Sequence, residues 1–210
     1  MFKQAMLAAT AALCLSSIGL AQRFEVTPFV GYKFGGSVPV RSQEFPSVDK
    51  LKFDNSISYG INAGVNLSEM FGVEFMWDRQ ATKTGAQPCC SDNQLQTKID
   101  TNLDQYHGNL LFNFRDEDEK LRPFVLVGLG ATRASGGGSS ETKFSFGLGG
   151  GVKYFFTDNM GLRAQIRWTP TYLFTTSGGV WCNWWGFCWT IPNDHFMNQG
   201  EVTVGYILRF

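Results

Sequence analysis

Histidine and cysteine are the side chains of this chain best suited to catalysis or metal binding, and their spacing favours neither. The chain has 2 histidines, His107 and His195, and neither stands at a zinc-ligand spacing from a cysteine or from the other histidine. His107 is followed by Gly108 and Asn109, so no serine stands two residues further on. The sequence therefore predicts no catalytic residue, no cofactor and no metal site.

The cysteines are better suited to disulfide formation. Cys182 and Cys188 are six residues apart, a spacing that predicts a small disulfide-closed ring. Cys89 and Cys90 are adjacent, and a bridge from either of them to the later pair remains open as an alternative. Disulfides persist in oxidising compartments, so this pairing requires export from the cytoplasm.

Residues 1–21 have the features of a secretory signal peptide. Lys3 supplies a positive start, residues 5–20 form a short apolar run, and residues 19–21 are suited to cleavage. We therefore expect residues 1–21 to be removed and residues 22–210 to form one mature domain. Lys plus Arg and Asp plus Glu each number 18, and no basic patch interleaves with aromatic residues, so no nucleic-acid partner is expected.

Period-two alternation of apolar and small or polar residues indicates the elements that carry these groups. In the last eleven residues, one face of the extended chain contains Val202, Val204, Tyr206, Leu208 and Phe210. The same alternation predicts eight strands: 23–35, 57–67, 73–78, 104–115, 123–133, 144–156, 162–172 and 200–210. Long connections (36–53, 83–98, 135–140 and 175–198) alternate with short ones, an asymmetry typical of membrane barrels.

The sequence thus predicts an all-β fold, a closed eight-stranded antiparallel transmembrane up-and-down β-barrel. Its apolar rows are too bulky for so narrow an interior, so we expect them to face lipid. Aromatic residues near both strand ends would form two interfacial belts. One belt contains Phe34, Tyr59, Tyr106, Phe144 and Tyr172, and the other contains Phe24, Phe114, Phe156 and Phe210.

The opposite faces place a set of charged residues in the interior. These residues are Glu25, Lys33, Glu74, Asp78, Arg115, Lys153, Arg163, Arg167, Glu201 and Arg209. Glu25 and Arg209 become neighbours when the last strand closes on the first, and Asp78 and Arg167 lie near mid-depth. Buried charges must pair or be hydrated, so the set predicts either a salt-bridge plug or a narrow, water-filled ion path.

The loop before the last strand contains an unusual concentration of aromatic residues. They are Trp181, Trp184, Trp185, Phe187 and Trp189. Exposed apolar patches often mark interaction surfaces, so this stretch predicts a partner-binding tip. The alternative is that these side chains cap the barrel mouth or join the aromatic belt at the membrane boundary.

The pattern resembles the OmpA-like and OmpX-like family of eight-stranded outer-membrane β-barrels. The resemblance rests on the strand number, the loop asymmetry, the opening of the fifth strand at residues 122–125, and the terminal residues 206–210. It implies location in the bacterial outer membrane after passage through the periplasm, with outer-membrane lipid around the barrel. It also implies that the barrel-assembly machinery recognises the final strand through Val202, Val204, Tyr206, Leu208 and Phe210.

The resemblance implies a non-enzymatic protein that serves envelope structure and surface interaction through its extracellular loops. The surface partner is unknown. OmpW-like proteins, which resemble narrow channels for small apolar molecules, give the nearest alternative, a channel for ions or small solutes. Some related barrels modify lipids with a serine and a histidine, which is a remote third possibility. Full-length OmpA proteins carry a peptidoglycan-binding domain, and none is expected here.

Overall fold

The computed structural model describes residues 24–39, 48–88, 99–115, 119–136, 139–173, 180–182, 188–190 and 195–210. The strands in these ranges are β1 (Phe24–Gly35), β2 (Ser37–Pro39), β3 (Val48–Phe53), β4 (Ser56–Asn66), β5 (Phe71–Pro88), β6 (Ile99–Asn113), β7 (Leu121–Gly136), β8 (Ser139–Thr157), β9 (Met160–Leu173), β10 (Val180–Cys182), β11 (Cys188–Thr190) and β12 (His195–Arg209). In these ranges no helix is long and apolar enough to cross a membrane.

Eight of these strands form a closed antiparallel ring. Its order is β1, β12, β9, β8, β7, β6, β5 and β4, and β4 pairs back onto β1. Backbone hydrogen bonds join Phe24 and Phe210 in both directions, at 3.3 and 2.9 Å, beside the Glu25–Arg209 register pair. Ring closure pairs both long edges of the sheet, as hydrocarbon surroundings require. The predicted eight-stranded barrel is confirmed.

The short connections lie together at the end of the barrel that carries Phe24 and Phe210, called the lower end below. Backbone hydrogen bonds tie each of them to a neighbouring strand: Asn113 to Met70 at 2.7 Å, Phe155 to Lys120 at 2.8 Å, and Arg209 to Asn159 at 2.8 Å. The long connections are therefore at the opposite, upper end, as the loop lengths predict.

At the upper end the strands extend further than the alternation predicts. The predicted loop 36–53 contains β2 and β3, and β5 continues to Pro88 inside the predicted loop 83–98. The predicted loops 135–140 and 175–198 likewise contain strand residues. Backbone hydrogen bonds between strands do not require an apolar face. The strand pairing therefore continues above the apolar band, where the side chains are polar and the sequence no longer alternates.

A glycine pair makes the bend from β1 into β2. Gly35 and Gly36 have φ values of 84° and 90°, a region that residues with a side chain rarely adopt. After the bend, β2 pairs with β3, and β3 pairs with the upper part of β5. The amide of Phe53 donates a 2.9 Å hydrogen bond to the carbonyl of Gly36, which fixes the end of β3 beside the bend.

The apolar rows face outward along the ring, as predicted. Val30, Leu110 and Ile166 are 60 to 62% exposed, while inward neighbours such as Asn109 and Arg167 are 1% exposed. Aromatic rings meet at both ends: Phe24 with Phe210 at 6.5 Å at the lower end, and Tyr172 with Phe196 at 4.9 Å at the upper end. This surface suits a hydrocarbon environment bounded by two interfaces.

Candidate functional site

Small residues on β8 provide the space in which the larger interior side chains pack. Gly149 pairs with Arg167, and Gly151 pairs with Gln165. A Cβ atom at Gly147 would lie 2.8 Å from Cζ of Arg167, and one at Gly151 would lie 2.9 Å from Cζ of Phe124. Both distances are shorter than van der Waals contact, so the glycines allow these side chains to lie flat against the strand.

The lowest charged layer is centred on the Glu25 carboxylate. Lys153 Nζ donates to it at 2.5 Å, Arg209 donates at 2.8 and 3.2 Å, and Asn66 Nδ2 donates at 3.1 Å. All these side chains are buried. Lys153 comes from β8, so this layer connects the β1–β12 seam to a strand elsewhere on the ring. A buried carboxylate with several donors is a structural anchor.

The next layer pairs Glu74 with Arg163. The two form an ion pair with a further 3.2 Å hydrogen bond, and Asn109 Nδ2 lies 3.3 Å from Glu74 Oε1. Arg163 Nη2 also donates to Gln165 Oε1 at 2.6 Å. Its guanidinium carbon is 4.6 Å from the ring centroid of Phe124, a cation–π distance. The Arg163 guanidinium therefore has hydrogen-bond partners in its plane and an aromatic ring against its face.

The third layer contains three further contacts of charged side chains. Lys33 forms an ion pair with Asp78, and Ser58 Oγ donates to Glu201 Oε1 at 2.6 Å. Arg167 donates to Asn109 Oδ1 at 3.1 Å. Asp78 and Arg167 are both buried. The direct ion-pair partner of Asp78 is Lys33 on β1.

The prediction that Arg115 points into the interior is wrong. β6 ends at Asn113, so strand alternation no longer orients Arg115, which is exposed and pairs with Glu119 in the lower connection. An arginine that the sequence analysis missed, Arg122, is fully buried instead, with its guanidinium carbon 5.8 Å from the ring of Phe155. Arg122 has the inward phase of β7, and this phase was the signal that could have identified it.

Above the charged layers, three glutamines form a chain across the interior. Gln105 donates to Gln199 at 3.1 Å, Gln199 donates to Gln80 at 3.2 Å, and Gln80 donates to Ser56 at 2.9 Å. All three glutamines are buried. They connect β6, β12, β5 and β4, so the amides bind the upper walls of the barrel to one another.

An apolar cluster lies above the glutamines. Phe53, Leu103 and Met197 pack together, with Ala134 against them. Phe53 and Met197 fell in predicted loops, and Leu103 fell just before a predicted strand, so the sequence analysis did not find this cluster. The interior therefore contains charged layers, a glutamine layer and an apolar cluster in succession from the lower to the upper end.

His107 is part of a buried hydroxyl network. Its Nε2 lies 3.0 Å from Ser145 Oγ, which is 3.1 Å from Thr132 Oγ1, and Thr132 is 3.1 Å from Thr171 Oγ1. Pairing of β6, β7, β8 and β9 brings these residues together. His107 is 1% exposed and Ser145 is 0% exposed, so this serine–histidine contact has no open face for a substrate.

The aromatic loop is described only in its two short strands. β10 and β11 pair so that Cys182 is opposite Cys188 and Trp181 is opposite Trp189. This backbone register is compatible with the predicted disulfide, which stays a prediction. Residues 1–21, Cys89, Cys90, Trp184, Trp185 and Phe187 lie outside the described residues. Within the described ranges, no three His, Cys, Asp or Glu residues are grouped to hold a metal ion.

Comparison with known proteins gives the family and the fold. A family model described as outer membrane protein beta-barrel domain matches residues 8–210. The outer membrane protein OprG of Pseudomonas aeruginosa is 12% identical, with a TM-score of 0.63 over 90% of this chain and 96% of that chain. Neisserial surface protein A is 19% identical, with a TM-score of 0.54 over 89% of this chain and 97% of that chain.

The N-terminal barrel domain of OprF from Pseudomonas aeruginosa is also similar. It is 15% identical, with a TM-score of 0.50 over 90% of this chain and 97% of that chain. No curated protein matches the sequence. At these identities the structural likenesses establish a shared barrel fold.

Proposed function

This chain belongs to the outer membrane protein beta-barrel domain family, and we propose that its role in the bacterial outer membrane is structural and non-enzymatic, with surface contacts made by its upper loops. Membrane lipid surrounds the outward rows. We also propose that the barrel-assembly machinery recognises the terminal strand during insertion. Val202 and Val204 in β12, and Phe210 directly after it, are 48, 55 and 73% exposed on the lipid-facing side, where a receptor could contact them.

The packing of the interior carries the structural proposal. Asp78 and Arg167, in the third charged layer, are 0% and 1% exposed, and Leu103, in the apolar cluster above them, is 0% exposed. A water-filled ion path would leave its lining charges accessible, whereas these charges contact partners from other strands. An eight-stranded barrel leaves an interior only wide enough for side chains, and here side chains occupy it. This favours a salt-bridge plug over a channel.

Conductance in a planar lipid bilayer tests this proposal. We expect the reconstituted wild-type protein to give no reproducible unitary steps, with insertion verified by heat-modifiable electrophoretic migration. Leu103→Ser is measured in the same way beside the wild type, because this substitution weakens the apolar cluster without changing the charge of the interior. Unitary steps in the wild type that change with Asp78→Asn or Arg167→Gln would favour the narrow channel and overturn the structural role.

The aromatic loop supports the proposed surface contacts. β10 and β11 pair with Trp181 opposite Trp189 in backbone register, and both strands belong to the connection between β9 and β12. Replacing Trp184 and Trp185 with serine is expected to weaken adhesion of expressing cells to a surface while leaving the heat-modifiable barrel intact. Glu119→Gln, at the lower end, is the matched control. Loss of the folded form in the tryptophan variant would make these side chains structural caps instead.

A non-enzymatic role is supported by the position of the serine–histidine contact. Ser145 and His107 are both buried in the interior, whereas a lipid-modifying site must reach the lipid face. Lipid analysis of expressing cells should give the same composition for wild type and Ser145→Ala. A lipid product that disappears in this variant would establish an enzyme.

A further inference from the structure

A lysine and an aspartate from two separate strands meet in the third charged layer of the interior. Lys33 on β1 forms an ion pair with Asp78 on β5, and their side chains are 1% and 0% exposed. Strand β4 lies between β1 and β5 in the ring, so these two strands do not pair with each other. Among the described residues, the Lys33 amine and both carboxylate oxygens of Asp78 have no hydrogen-bond partner apart from each other.

A second buried lysine–carboxylate pair, Lys153 and Glu25, has different surroundings. Arg209 donates two hydrogen bonds to Glu25, at 2.8 and 3.2 Å, and Asn66 donates another at 3.1 Å. These donors stabilise the carboxylate anion, which is a poor electrophile. No described residue other than Lys33 donates to Asp78. The two pairs therefore differ in chemistry although both are buried.

The surroundings of Asp78 are closely packed. Its register partner on β4 is Gly60, and its register partner on β6 is the buried Gln105. A Cβ atom at Gly60 would lie 2.9 Å from the Cα atom of Asp78 and 2.7 Å from Cζ of Phe29, so the Phe29 ring lies against the glycine. Charges are costly in such surroundings. Transfer of one proton from Lys33 to Asp78 produces a neutral amine and a neutral carboxylic acid instead.

A third side chain of this layer, Glu201, is in position to move a proton. Glu201 on β12 is the register partner of Lys33, and both side chains are buried. Directly opposite residues on paired antiparallel strands have Cβ atoms about 4.5–5.5 Å apart. Ser58 Oγ donates to Glu201 Oε1 at 2.6 Å, whereas Glu201 Oε2 has no hydrogen-bond partner among the described residues. One oxygen of Glu201 is therefore fixed, and the other is available to accept a proton.

We infer that Lys33 and Asp78 form an intramolecular isopeptide bond, which joins β1 covalently to β5. The neutral Lys33 amine attacks Cγ of Asp78, and the new N–C bond gives a tetrahedral intermediate. Glu201 accepts a proton from the nitrogen and delivers it to the departing hydroxyl group, so the C–O bond breaks and one water molecule leaves. A primary amine and a carboxylic acid thus give a secondary amide and water, with no change in oxidation state and no co-reactant.

Proximity and the exclusion of water both favour this condensation. Well-oriented groups within one molecule react as if their concentration were about 10⁵–10⁸ M. An interior that excludes water also protects the amide from hydrolysis. Because β12 closes the ring on β1, the bond ties the closing strand to β5, on the far side of β4. This bond is independent of the role proposed for the loops.

Mass spectrometry of the folded protein, purified from membranes in detergent, tests the bond. The intact wild-type chain should be lighter than the unmodified chain by one water molecule. Tryptic digestion should give a branched product that joins the peptide containing Lys33 to the peptide containing Asp78, because trypsin does not cleave after an acylated lysine. Lys33→Met with Asp78→Asn should have the full mass, since it removes the nucleophile without leaving an unpaired buried charge. Lys83→Met, which removes an exposed lysine beside Asp100, is the matched control and should keep the water loss.

Refolding tests the part assigned to Glu201. Chains isolated unfolded from inclusion bodies should lack the bond and should acquire it on refolding into detergent, with folding followed by heat-modifiable migration. Glu201→Gln keeps both reacting groups but removes the proton acceptor. The rate of water loss in the folded variant should therefore fall about 10²–10⁴-fold, the usual contribution of a general acid or base.

Several results would contradict these assignments. A folded wild-type chain of unmodified mass, cleaved normally after Lys33, would show an ion pair only and overturn the bond. Water loss confined to a single peptide would be a succinimide, and a branched product joining Lys153 to Glu25 would place the condensation at the other pair; either result overturns the bond as well. Equal rates of water loss in the wild type and Glu201→Gln would overturn the assignment of Glu201 as the proton carrier.

Discussion

Substitution of Glu25 by glutamine should be among the most damaging changes to the lower half of the barrel. Glu25 accepts hydrogen bonds from Lys153 at 2.5 Å, from Arg209 at 2.8 Å and from Asn66 at 3.1 Å. Glutamine keeps the shape and one acceptor oxygen but removes the charge. Two buried cations would then lack their shared counter-ion, and removing one partner of a buried pair costs about 3–5 kcal/mol.

Replacing Lys153, the partner of Glu25, should lower the free energy of unfolding by a different amount than replacing Glu25 does. In Lys153→Met, Glu25 keeps Arg209 and Asn66, so one buried carboxylate still faces one buried cation. We therefore expect Lys153→Met to cost less than Glu25→Gln. The exposed pair Arg115–Glu119 supplies the control, because breaking a surface pair with Glu119→Gln costs about 0–1 kcal/mol.

Equilibrium unfolding in guanidinium, followed by tryptophan fluorescence with the protein in lipid vesicles, measures all three variants. The free energy of unfolding should fall most for Glu25→Gln, less for Lys153→Met and least for Glu119→Gln. If Glu25→Gln costs no more than Glu119→Gln, water must reach the carboxylate. That result would refute the salt-bridge plug and favour a hydrated path.

Three further predictions concern the interior glycines, the last strand and the paired cysteines. Gly147→Leu should displace the Arg167 guanidinium and lower the free energy of unfolding by about 1–3 kcal/mol in the same assay, the usual cost of overpacking; an unchanged value would show that Arg167 has free room. Phe210→Ala should reduce the folded protein recovered from cell membranes but not refolding from denaturant into detergent, whereas equal loss in both would make Phe210 a stability residue. Cys182→Ser should abolish any shift in electrophoretic mobility on reduction, and a shift that persists would point to a bridge without the Cys182–Cys188 pair.

The alternation in the sequence determined the ring and its two faces. Lipid on one side and a narrow interior on the other impose opposite demands on successive residues, so the contrast between Val202 and Glu201 is visible without a structure. The closure of the last strand on the first followed from the even strand count. That closure correctly predicted the neighbours Glu25 and Arg209, which share one register position.

The tertiary structure alone decided what each interior group touches. Lys153 reaches Glu25 across the barrel, and Ser145 meets His107 across two strand pairings, because strand tilt and stagger set which levels coincide. Alternation carries no information on stagger. The alternation also fades beyond the apolar band and at strand ends. Only the backbone pairing and side-chain packing of the folded chain therefore show the glutamine layer, the Phe53 cluster and the exposed position of Arg115.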